Sequence, residues 1–389
     1  MRIVLLWPVY FPNYSAGSVR CGAFAEQLTI LGNDVAVVTP LEFPGRSTIE
    51  MKAYMVRRIP SYYSFSRCLG FGSASILLPI SIGNIRRTLV EIRPDVVIAS
   101  TPGPIMALEG YLATRRMGIP FVFDVRDPWR SGSYLHPGAL RNLSKQSVEK
   151  LLVRKSDFVF SVTPALREIM TSDYGISPTK VAVVRNGADV GNRGILDSEK
   201  EYDLVFLGTP SPYKGLEGLF AALKIASRKR PLKILFVGWI ENSYTKGLRT
   251  LAERCSLVHS MDFLPQIPVG EVKGWISKAR VAIMSLGGPP SLACAVGAAN
   301  YQYLAAGLPI AFLTRHRGGE IDDFISEDVG FVATNPAVFA EKLIDLLQDE
   351  NDLRRRSVNA LEYSKEFGWN KIVSEMHERY LKNLVGDLS

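Results

Sequence analysis

The sequence predicts an α/β protein built from two doubly wound domains. Short β-rich runs alternate with helix-length segments over most of the 389 residues, a pattern typical of parallel sheets covered by helices on both faces. The alternation begins again after residues 186–201, which are rich in Gly, Asn and Asp and lack hydrophobic periodicity. These residues are therefore predicted to connect two domains, and the chain is longer than one hydrophobic core usually supports.

The first domain is predicted to contain a sheet of parallel strands. The run Val-Val-Ile-Ala-Ser at 96–100 is apolar without alternation, as expected for a strand buried on both faces. The predicted strands are 3–7, 34–39, 95–100, 121–124, 158–162 and 181–185, and helices are predicted at 19–31 and 105–116 among others.

The second half repeats this pattern and ends in helices alone. Ligands of such sheets bind beyond the carboxyl ends of the strands, so the loops that follow strands are the candidate sites. The predicted strands are 202–207, 233–237, 257–261, 281–285, 310–313 and 330–332. The predicted helices are 216–228, 245–254, 270–278 and 298–306, followed by 336–348, 351–367 and 369–384.

Cysteine and histidine usage favours a cytoplasmic protein without a metal site. The four cysteines are scattered and form no Cys-x-x-Cys pair, so they are interpreted as buried thiols in a reducing compartment. The four histidines are also dispersed. The uncharged stretch 68–85 contains Pro79 and several Gly and Ser, which disfavours a membrane-spanning helix.

Positive charge is concentrated near residues 46–93. Seven Lys and Arg residues lie between 46 and 87 against one acid, Glu50, within a formal net charge of +8. With its interleaved aromatic and apolar residues, the segment indicates either an anionic membrane surface or a solvated basic face. No recognition-helix, RRM or zinc-finger signature supports a nucleic-acid partner.

Two loops of the first domain carry candidate binding residues. The loop at 8–18 contains Tyr10 and Gly17, and Gly17 lets backbone approach a ligand at the start of a helix. The run Asp-Val-Arg-Asp-Pro-Trp at 124–129 follows a strand and packs charges and an indole into six positions.

This run is interpreted as a polar wall of a binding site. Asp127 or Asp124 is expected to hydrogen-bond hydroxyls of a sugar or an acceptor, with Arg126 and Trp129 beside them. A solvent-exposed, salt-bridged turn is the alternative.

Lys214 is the candidate cation of the second domain. It follows Gly208 and Thr209 and stands just before a helix, where its charge and the helix N-terminal amides can act on one phosphate. A surface turn is the alternative for an isolated Lys-Gly pair.

A glycine-rich loop and a short helix complete the candidate site. Gly288 lies in a Gly- and Pro-rich loop at 286–291, and Asn300, Tyr301 and Gln302 lie on a helix that a Gly-Leu-Pro sequence ends. Such a loop lets backbone approach a diphosphate closely. A simple loop–helix–strand connection is the alternative.

Together these motifs resemble the family 4 glycosyltransferases of the GT-B fold, and more narrowly the branch of cell-envelope polysaccharide, O-antigen or capsule assembly. The motifs occur in the family's order along nearly the whole chain. They are the Gly17 loop, the 124–129 run, Arg-Asn-Gly-Ala-Asp at 185–189, Lys214-Gly215, residues 301–309 and Phe-Gly-Trp at 367–369.

The resemblance implies two domains that face each other across a cleft. The domain of residues 1–185, joined by a final helix at 369–389, would bind a glycan or lipid-linked acceptor, and 186–368 would bind the nucleotide-diphosphate sugar. The reaction would proceed with retention and without a metal or other cofactor, which agrees with the lack of an Asp-x-Asp motif. By position the resemblance points to Lys214, Gly17 and Asp127. The full predicted sets are Asp127, Asp124 and Lys214 for catalysis; Gly17, Lys214, Gly208, Thr209, Gln302, Asn300, Tyr301 and Gly288 for the donor; and Arg126, Trp129 and Tyr10 for the acceptor.

Three positions depart from the family's pattern. Gln302 and Cys294 stand where the two glutamates of a Glu-x7-Glu motif are expected, and Thr209 stands where relatives carry an arginine partner of the lysine. A carboxamide cannot offer a ribose diol two anionic acceptors. Arg185, Arg315 and Arg317 are candidate substitutes for the missing arginine. A non-catalytic accessory subunit that has lost the donor site is therefore the main alternative, and a nucleotide-sugar epimerase is a weaker one.

Overall fold

The structure, a computed structural model, divides into two compact units. One unit comprises Met1–Arg185 with Trp369–Ser389, and the other comprises Asn186–Gly368. Side chains or backbone are described for residues 1–41, 48–61, 82–101, 104–126, 139–288, 294 and 296–386. Each unit has its own sheet, and each is an α/β fold.

The first unit contains a sheet with the order β3-β4-β2-β1-β5-β6-β7-β8 among the described residues. All neighbouring strands are parallel except β3 and β4, which form an antiparallel hairpin at one edge. The strands are β1 Arg2–Leu6, β2 Asp34–Pro40, β3 Thr48–Met51, β4 Met55–Ile59, β5 Val96–Ser100, β6 Phe121–Val125, β7 Phe158–Ser161 and β8 Val181–Val183.

Helices cover both faces of this sheet because its central strands are apolar on both sides. In β1, Val4 and Leu6 enter one core, whereas Ile3, Leu5 and Trp7 enter the other. The described helices are α1 Ala16–Ile30, α2 Ile82–Ile92, α3 Pro104–Arg115, α4 Ala139–Lys155 and α5 Pro164–Tyr174. Helix α1 packs on the second face, and α2, α3 and α5 pack on the first.

The C-terminal segment returns to the first unit, as predicted. The Trp369 ring packs edge-on against Phe24 of α1 with 6.2 Å between ring centroids, and Val373 and Met376 are buried in the same core. The helix predicted at 369–384 is interrupted: after Trp369–Met376 come a π-helical turn at His377–Leu381 and a last helix at Lys382–Gly386.

The second unit contains a parallel sheet with the order β11-β10-β9-β12-β13-β14. Strand β9 lies between β10 and β12, so the order reverses beside β9, and ligands of doubly wound sheets bind at such a point. The strands are β9 Tyr202–Leu207, β10 Ile234–Val237, β11 Met261–Leu264, β12 Ala279–Leu286, β13 Ile310–Thr314 and β14 Gly330–Ala333.

Five helices connect these strands in the described part of the unit: α6 Leu216–Ser227, α7 Ser243–Arg254, α8 Val269–Ile276, α9 Ala298–Ala305 and α10 Glu320–Phe324. Two more, α11 Pro336–Gln348 and α12 Glu350–Ser364, follow β14. The last helices, α13 Trp369–Met376 and α14 Lys382–Gly386, belong to the first unit. Helix α12 is followed by a 3-10 turn at Lys365–Phe367, so the segment predicted as one helix at 351–367 ends earlier than expected.

One predicted strand is wrong in its position. Residues 257–261 were expected to form a strand, but Val258–Ser260 is a 3-10 turn and β11 begins only at Met261. Leu257 is fully buried, and its amide still bonds to the carbonyl of Ala252 in α7. The apolar pair at 257–258 therefore reflects the end of a helix and not a strand.

The sequence pattern did not reveal the β3–β4 hairpin, because β4 contains two consecutive arginines that are half-buried through contacts from other elements. Within the described ranges, every helix is too short or too polar to span a lipid bilayer.

Candidate active site

Lys214 lies at the carboxyl end of β9, where the strand order reverses. A 3-10 turn at Pro212–Lys214 follows β9, and Gly215, with φ of 62°, leads into α6. The Lys214 Nζ lies 5.0 Å from the centroid of the Phe206 ring. The ammonium group therefore lies beside the end of β9, and the role of Lys214 in phosphate binding stays a prediction.

Three glycines form the surroundings of Lys214. A Cβ added at Gly208, whose φ is 122°, would lie 2.8 Å from Lys214 Nζ. A Cβ at Gly215 would lie 2.7 Å from the Gly287 Cα, and one at Gly287 would lie 2.6 Å from the Gly215 Cα. The amides of Gly287 and Gly288 both donate to the carbonyl of Tyr213, at 2.9 and 3.0 Å. Backbone from the end of β12 therefore packs directly on the Lys214 turn.

Gly287→Ala is expected to lower the free energy of unfolding by about 1–3 kcal/mol, because the new methyl group overlaps the Gly215 backbone. Urea denaturation would measure the change. Gly270→Ala in α8 is the matched control, since a Cβ there meets no atom within 4 Å and alanine favours a helix. Equal stability of both variants would mean that the two loops are not packed together.

Lys214 is half-buried, and its ammonium group has no counter-ion among the described residues of its unit. Burial lowers the pKa of Lys214 to about 8, and among the described residues no carboxylate lies within ion-pair distance. A desolvated ammonium without a partner is an unfavourable arrangement that an anion would relieve. The geometry is therefore that of an anion site.

Helix α9 is linked to the same strand end by a residue that the sequence did not single out. The amide of Leu207 donates to Tyr303 Oη at 2.5 Å, and Tyr303 is fully buried. Of the predicted donor residues on this helix, Asn300 is buried, and its Oδ1 accepts no hydrogen bond in the described part of the chain. Gln302 is half-buried, and its side chain makes no hydrogen bond within the same ranges.

Tyr301 contributes its ring to a core and not to an open surface. Its ring is 1% exposed and packs edge-on against Phe324 and Phe367, with centroids 4.9 and 5.2 Å apart. A direct contact of this ring with a nucleotide is therefore not favoured. Tyr301 instead holds α9 against the segment that ends the second unit.

Thr209 precedes Lys214 in the same loop, and the amide of Gly288 bonds to the residue before Lys214, Tyr213. Both Thr209 and Gly288 are half-buried. Of the arginines considered as substitutes in this unit, Arg317 is held by Asp322 at 2.7 Å and by the carbonyl of Val332 at 2.9 Å. Arg315 is exposed. The described contacts of the second unit thus leave Lys214 as the cation directed to the end of β9.

Asp124 lies beneath the surface of the first unit and forms a buried ion pair. Arg20 Nη2 and Nε donate to the two Asp124 carboxylate oxygens at 2.7 and 3.1 Å, and both side chains are 0% exposed. Ser100 Oγ donates to Asp124 Oδ2 at 2.7 Å. The expectation that Asp124 hydrogen-bonds a sugar hydroxyl is not favoured by this burial, because both oxygens are already occupied.

Arg20 also reaches the end of the first unit. It donates to the carbonyls of Val184 and Arg185 at 2.9 and 2.8 Å. The pair with Asp124 therefore joins α1 and β6 to the residues at which the chain leaves this unit. Neither Arg20 nor Ser100 was singled out in the sequence, because a buried pair 104 residues apart leaves no local pattern.

Arg126 and Gly17, predicted from separate loops, lie together. A Cβ at Gly17 would lie 2.9 Å from both Nη atoms of Arg126. The Arg126 guanidinium donates from Nε to Ser100 Oγ at 3.0 Å and from Nη2 to the carbonyl of Thr101. Glycine at 17 therefore leaves room for the Arg126 guanidinium, a reason that differs from the predicted approach of a ligand.

Tyr10 is buried, and its hydroxyl bonds to that of Tyr54 at 2.6 Å. Burial raises the pKa of Tyr10.

Asp127 and Trp129 lie outside the described residues, and their roles stay predictions. Among the described residues, no cluster of three or more His, Cys, Asp or Glu side chains could hold a metal ion.

Comparison with known proteins identifies the family. Residues 16–187 match the model of the glycosyl transferase 4-like domain, and residues 192–363 match that of the glycosyl transferases group 1. The D-inositol 3-phosphate glycosyltransferase of Streptomyces scabiei is 23% identical over 294 residues, covering 70% of this chain and 64% of the relative. That of Corynebacterium glutamicum is 24% identical over 257 residues, covering 61% and 60%. The alignments thus span less than two thirds of these relatives.

Solved structures share the fold at low identity. Sucrose-phosphate synthase from Thermosynechococcus elongatus has a TM-score of 0.78 at 15% identity and covers 99% of this chain and 100% of its own. Anabaena HepE in complex with UDP-glucose has a TM-score of 0.70 at 15% identity, covering 98% and 100%. WaaG, a glycosyltransferase of lipopolysaccharide biosynthesis, has a TM-score of 0.66 at 16% identity, covering 96% and 99%.

Proposed function

The chain belongs to the group 1 glycosyltransferases of family 4, which have the GT-B fold, and from this premise we propose that it transfers a sugar from a nucleotide-diphosphate sugar to a glycan or lipid-linked acceptor. The sugar is a hexose, the enzyme is of class EC 2.4, and the pathway is cell-surface polysaccharide or glycoconjugate synthesis in the cytoplasm. The solved complex of HepE with UDP-glucose supports this donor class.

The observation that carries the proposal is the half-buried ammonium of Lys214, which has no counter-ion among the residues described for its unit. It lies among glycines at the reversal point of a parallel sheet, next to the first turn of α6. A diphosphate would supply the missing negative charge, and its small oxygens fit where side chains are absent. We therefore assign donor binding to the second unit and acceptor binding to the first.

The chemistry that this site supports is stabilisation of the leaving group. As the bond between the anomeric carbon and the diphosphate breaks, negative charge grows on the leaving oxygen, and Lys214 would neutralise it. We propose retention of the anomeric configuration and independence from metal ions on the basis of the family resemblance. Turnover that persists in EDTA would support the second point, and complete loss that Mg²⁺ restores would refute it.

Isothermal titration calorimetry with UDP-, GDP- and dTDP-hexoses tests the proposal. Binding of one donor by the wild-type chain, and its loss in Lys214→Met, is the expected result. Failure to bind any of them would favour the accessory subunit, a function motivated by Gln302, Cys294 and Thr209. Conversion of the bound sugar to its epimer without transfer would instead indicate an epimerase.

Donor affinity is expected to fall above pH 8. The free protein holds the pKa of Lys214 at about 8, and a bound diphosphate favours the protonated form. The Kd should therefore be constant below pH 8 and rise by up to about tenfold per pH unit above it. Titrations of UDP-glucose from pH 6.5 to 9.5 measure this, since its diphosphate charge is constant there. Lys214→Met should give a flat profile, and a flat wild-type profile would contradict the assignment.

The surface formed by β3 and α2 supports a proposal of binding to an anionic membrane. Three large apolar side chains are exposed there: Ile49 at 55%, Met51 at 70% and Val90 at 54%. Ile49 pairs with Arg57 in the hairpin register, and Arg57 contacts Glu91 of α2, so strand and helix present one face. The exposed cations near these residues in the sequence are Lys52, Arg86, Arg87 and Arg93.

Vesicle flotation tests this surface. The chain is expected to float with vesicles of phosphatidylcholine and phosphatidylglycerol at low salt, and to stay unbound with phosphatidylcholine alone or at high salt, because the attraction is electrostatic. Arg86→Gln combined with Arg87→Gln should weaken flotation. Lys229→Gln, an exposed lysine of the second unit, is the control. Equal flotation of both variants would refute this surface as the binding face.

A further inference from the structure

The β3–β4 hairpin holds the loop between β1 and α1. Arg58 of β4 donates from Nη2 to the carbonyl of Phe11 at 2.6 Å. Tyr54, in the turn before β4, shares a 2.6 Å hydrogen bond with the Tyr10 hydroxyl. Two consecutive loop residues are therefore fixed by two residues from an element that lies more than forty positions away in the sequence. We call residues 7–15 the β1–α1 loop.

Arg58 is itself oriented by the hairpin. Its Nε donates to Glu50 Oε1 of β3 at 3.1 Å, and its side chain is 15% exposed. A guanidinium presents several donors in one rigid plane, so binding of Glu50 through Nε fixes the direction of the Nη2 group. The hydrogen bond to Phe11 is thus pre-aligned and largely shielded from water.

Packing of the loop on α1 completes this arrangement. A Cβ at Gly22 would lie 2.8 Å from the Phe11 ring, so the ring rests on the helix where a side chain is absent. The Phe11 ring also meets Tyr10 edge-on, with centroids 5.0 Å apart. The loop is therefore held between α1 and the hairpin, directly before the first turn of α1 that contains Gly17.

Arg57, the preceding residue, makes a different contact. It pairs with Glu91 of α2, because consecutive residues of a strand point to opposite faces of the sheet. The two arginines share a strand and a chemistry, but only Arg58 contacts the β1–α1 loop in the described residues. They form a natural pair of test and control positions.

We propose that Arg58, assisted by Tyr54, is a positioning residue that fixes the β1–α1 loop at the head of α1. It acts on the loop backbone and touches no substrate. The consequence for turnover rests on the proposed function, because the loop and Gly17 then border the substrates. The consequence for the loop itself does not depend on that function.

Hydrogen exchange in the full chain, measured by mass spectrometry, tests the proposal. Arg58→Met is expected to speed exchange of the peptide covering residues 7–19 by about tenfold, the effect of losing a hydrogen bond to a charged donor. Arg57→Met should leave this peptide unchanged, and Tyr54→Phe should give a smaller increase. Unchanged exchange in Arg58→Met, or an equal increase in Arg57→Met, would overturn the proposal.

Arg58→Lys distinguishes loss of the hydrogen bond from a general folding defect. It keeps a cationic donor near Phe11, so it should restore part of the protection from exchange. With the donor found by calorimetry, Arg58→Met should lower kcat/KM, and Arg58→Lys should recover part of it. Faster loop exchange with unchanged kcat/KM would overturn the role in positioning the site. If the wild-type chain binds no nucleotide sugar, the proposed function fails, while the exchange data still decide whether Arg58 fixes the loop.

Discussion

Replacing Lys214 with methionine is expected to reduce transfer from the nucleotide sugar by about 100-fold or more. The ammonium lies at the end of β9 and has no counter-ion in the described part of its unit. Loss of one donor that stabilises developing negative charge costs about 100- to 1000-fold in turnover. Steady-state kinetics with the donor identified by calorimetry would measure the change. Turnover equal to that of the wild type would show that Lys214 does not stabilise the leaving group.

The same variant should fold at least as stably as the wild type. The folded state lowers the pKa of Lys214 to about 8, below its unfolded value, so the charged form is disfavoured in the apo fold below pH 8. As the pH rises from 8 towards 10.5, the unfolded chain keeps the proton and the folded chain loses it, and wild-type stability gains relative to the variant. Urea denaturation at pH 7 and 9.5 measures this difference. Lys229→Met, at an exposed position, should show no such trend.

The fold could be predicted because its information is local. Each central strand is an apolar run without alternation, and each connection is long enough for a helix. One strand was missed, and another was placed too early in the sequence. The β4 strand escaped detection because Arg57 and Arg58 are half-buried through partners on α2, β3 and the β1–α1 loop. Residues 257–258 looked like a strand because apolar side chains also anchor the end of α7.

The candidate site could be predicted only in part. Lys214 and Gly208 follow a strand in the sequence, so the rule that ligands bind at strand ends was enough to single them out. Gly287 and Tyr303 act through contacts with Gly215 and Leu207 that depend on the neighbouring strand and helix. Tyr301 was predicted as a donor residue, and the structure packs its ring against Phe324 and Phe367. The sequence could not separate these roles, because an aromatic residue in a short helix fits both.

Asp124→Asn is expected to lower the free energy of unfolding of the first unit by about 3–5 kcal/mol. The substitution leaves the Arg20 guanidinium, 0% exposed, without a carboxylate, and an uncompensated buried charge is strongly destabilising. Ser100→Ala removes the hydrogen bond to the same carboxylate and also the acceptor of the buried Arg126 Nε, and it should cost about 1–3 kcal/mol. Urea denaturation of the full chain would measure both changes in the free energy of unfolding. Hydrogen exchange of peptides from the first unit would show that the change lies in that unit.

A double variant separates the ion pair from other roles of Asp124. Arg20→Met combined with Asp124→Leu removes both charges, and it should recover much of the stability lost in Asp124→Asn, because a buried pair can be exchanged for apolar contacts at small net cost. Recovery would show that the role of Asp124 is to neutralise Arg20, which in turn donates to the carbonyls of Val184 and Arg185 at the end of the unit. If Asp124→Asn were instead as stable as the wild type but inactive, Asp124 would be a substrate contact. The prediction from the sequence, that Asp124 hydrogen-bonds a hydroxyl of a sugar or an acceptor, would then be correct.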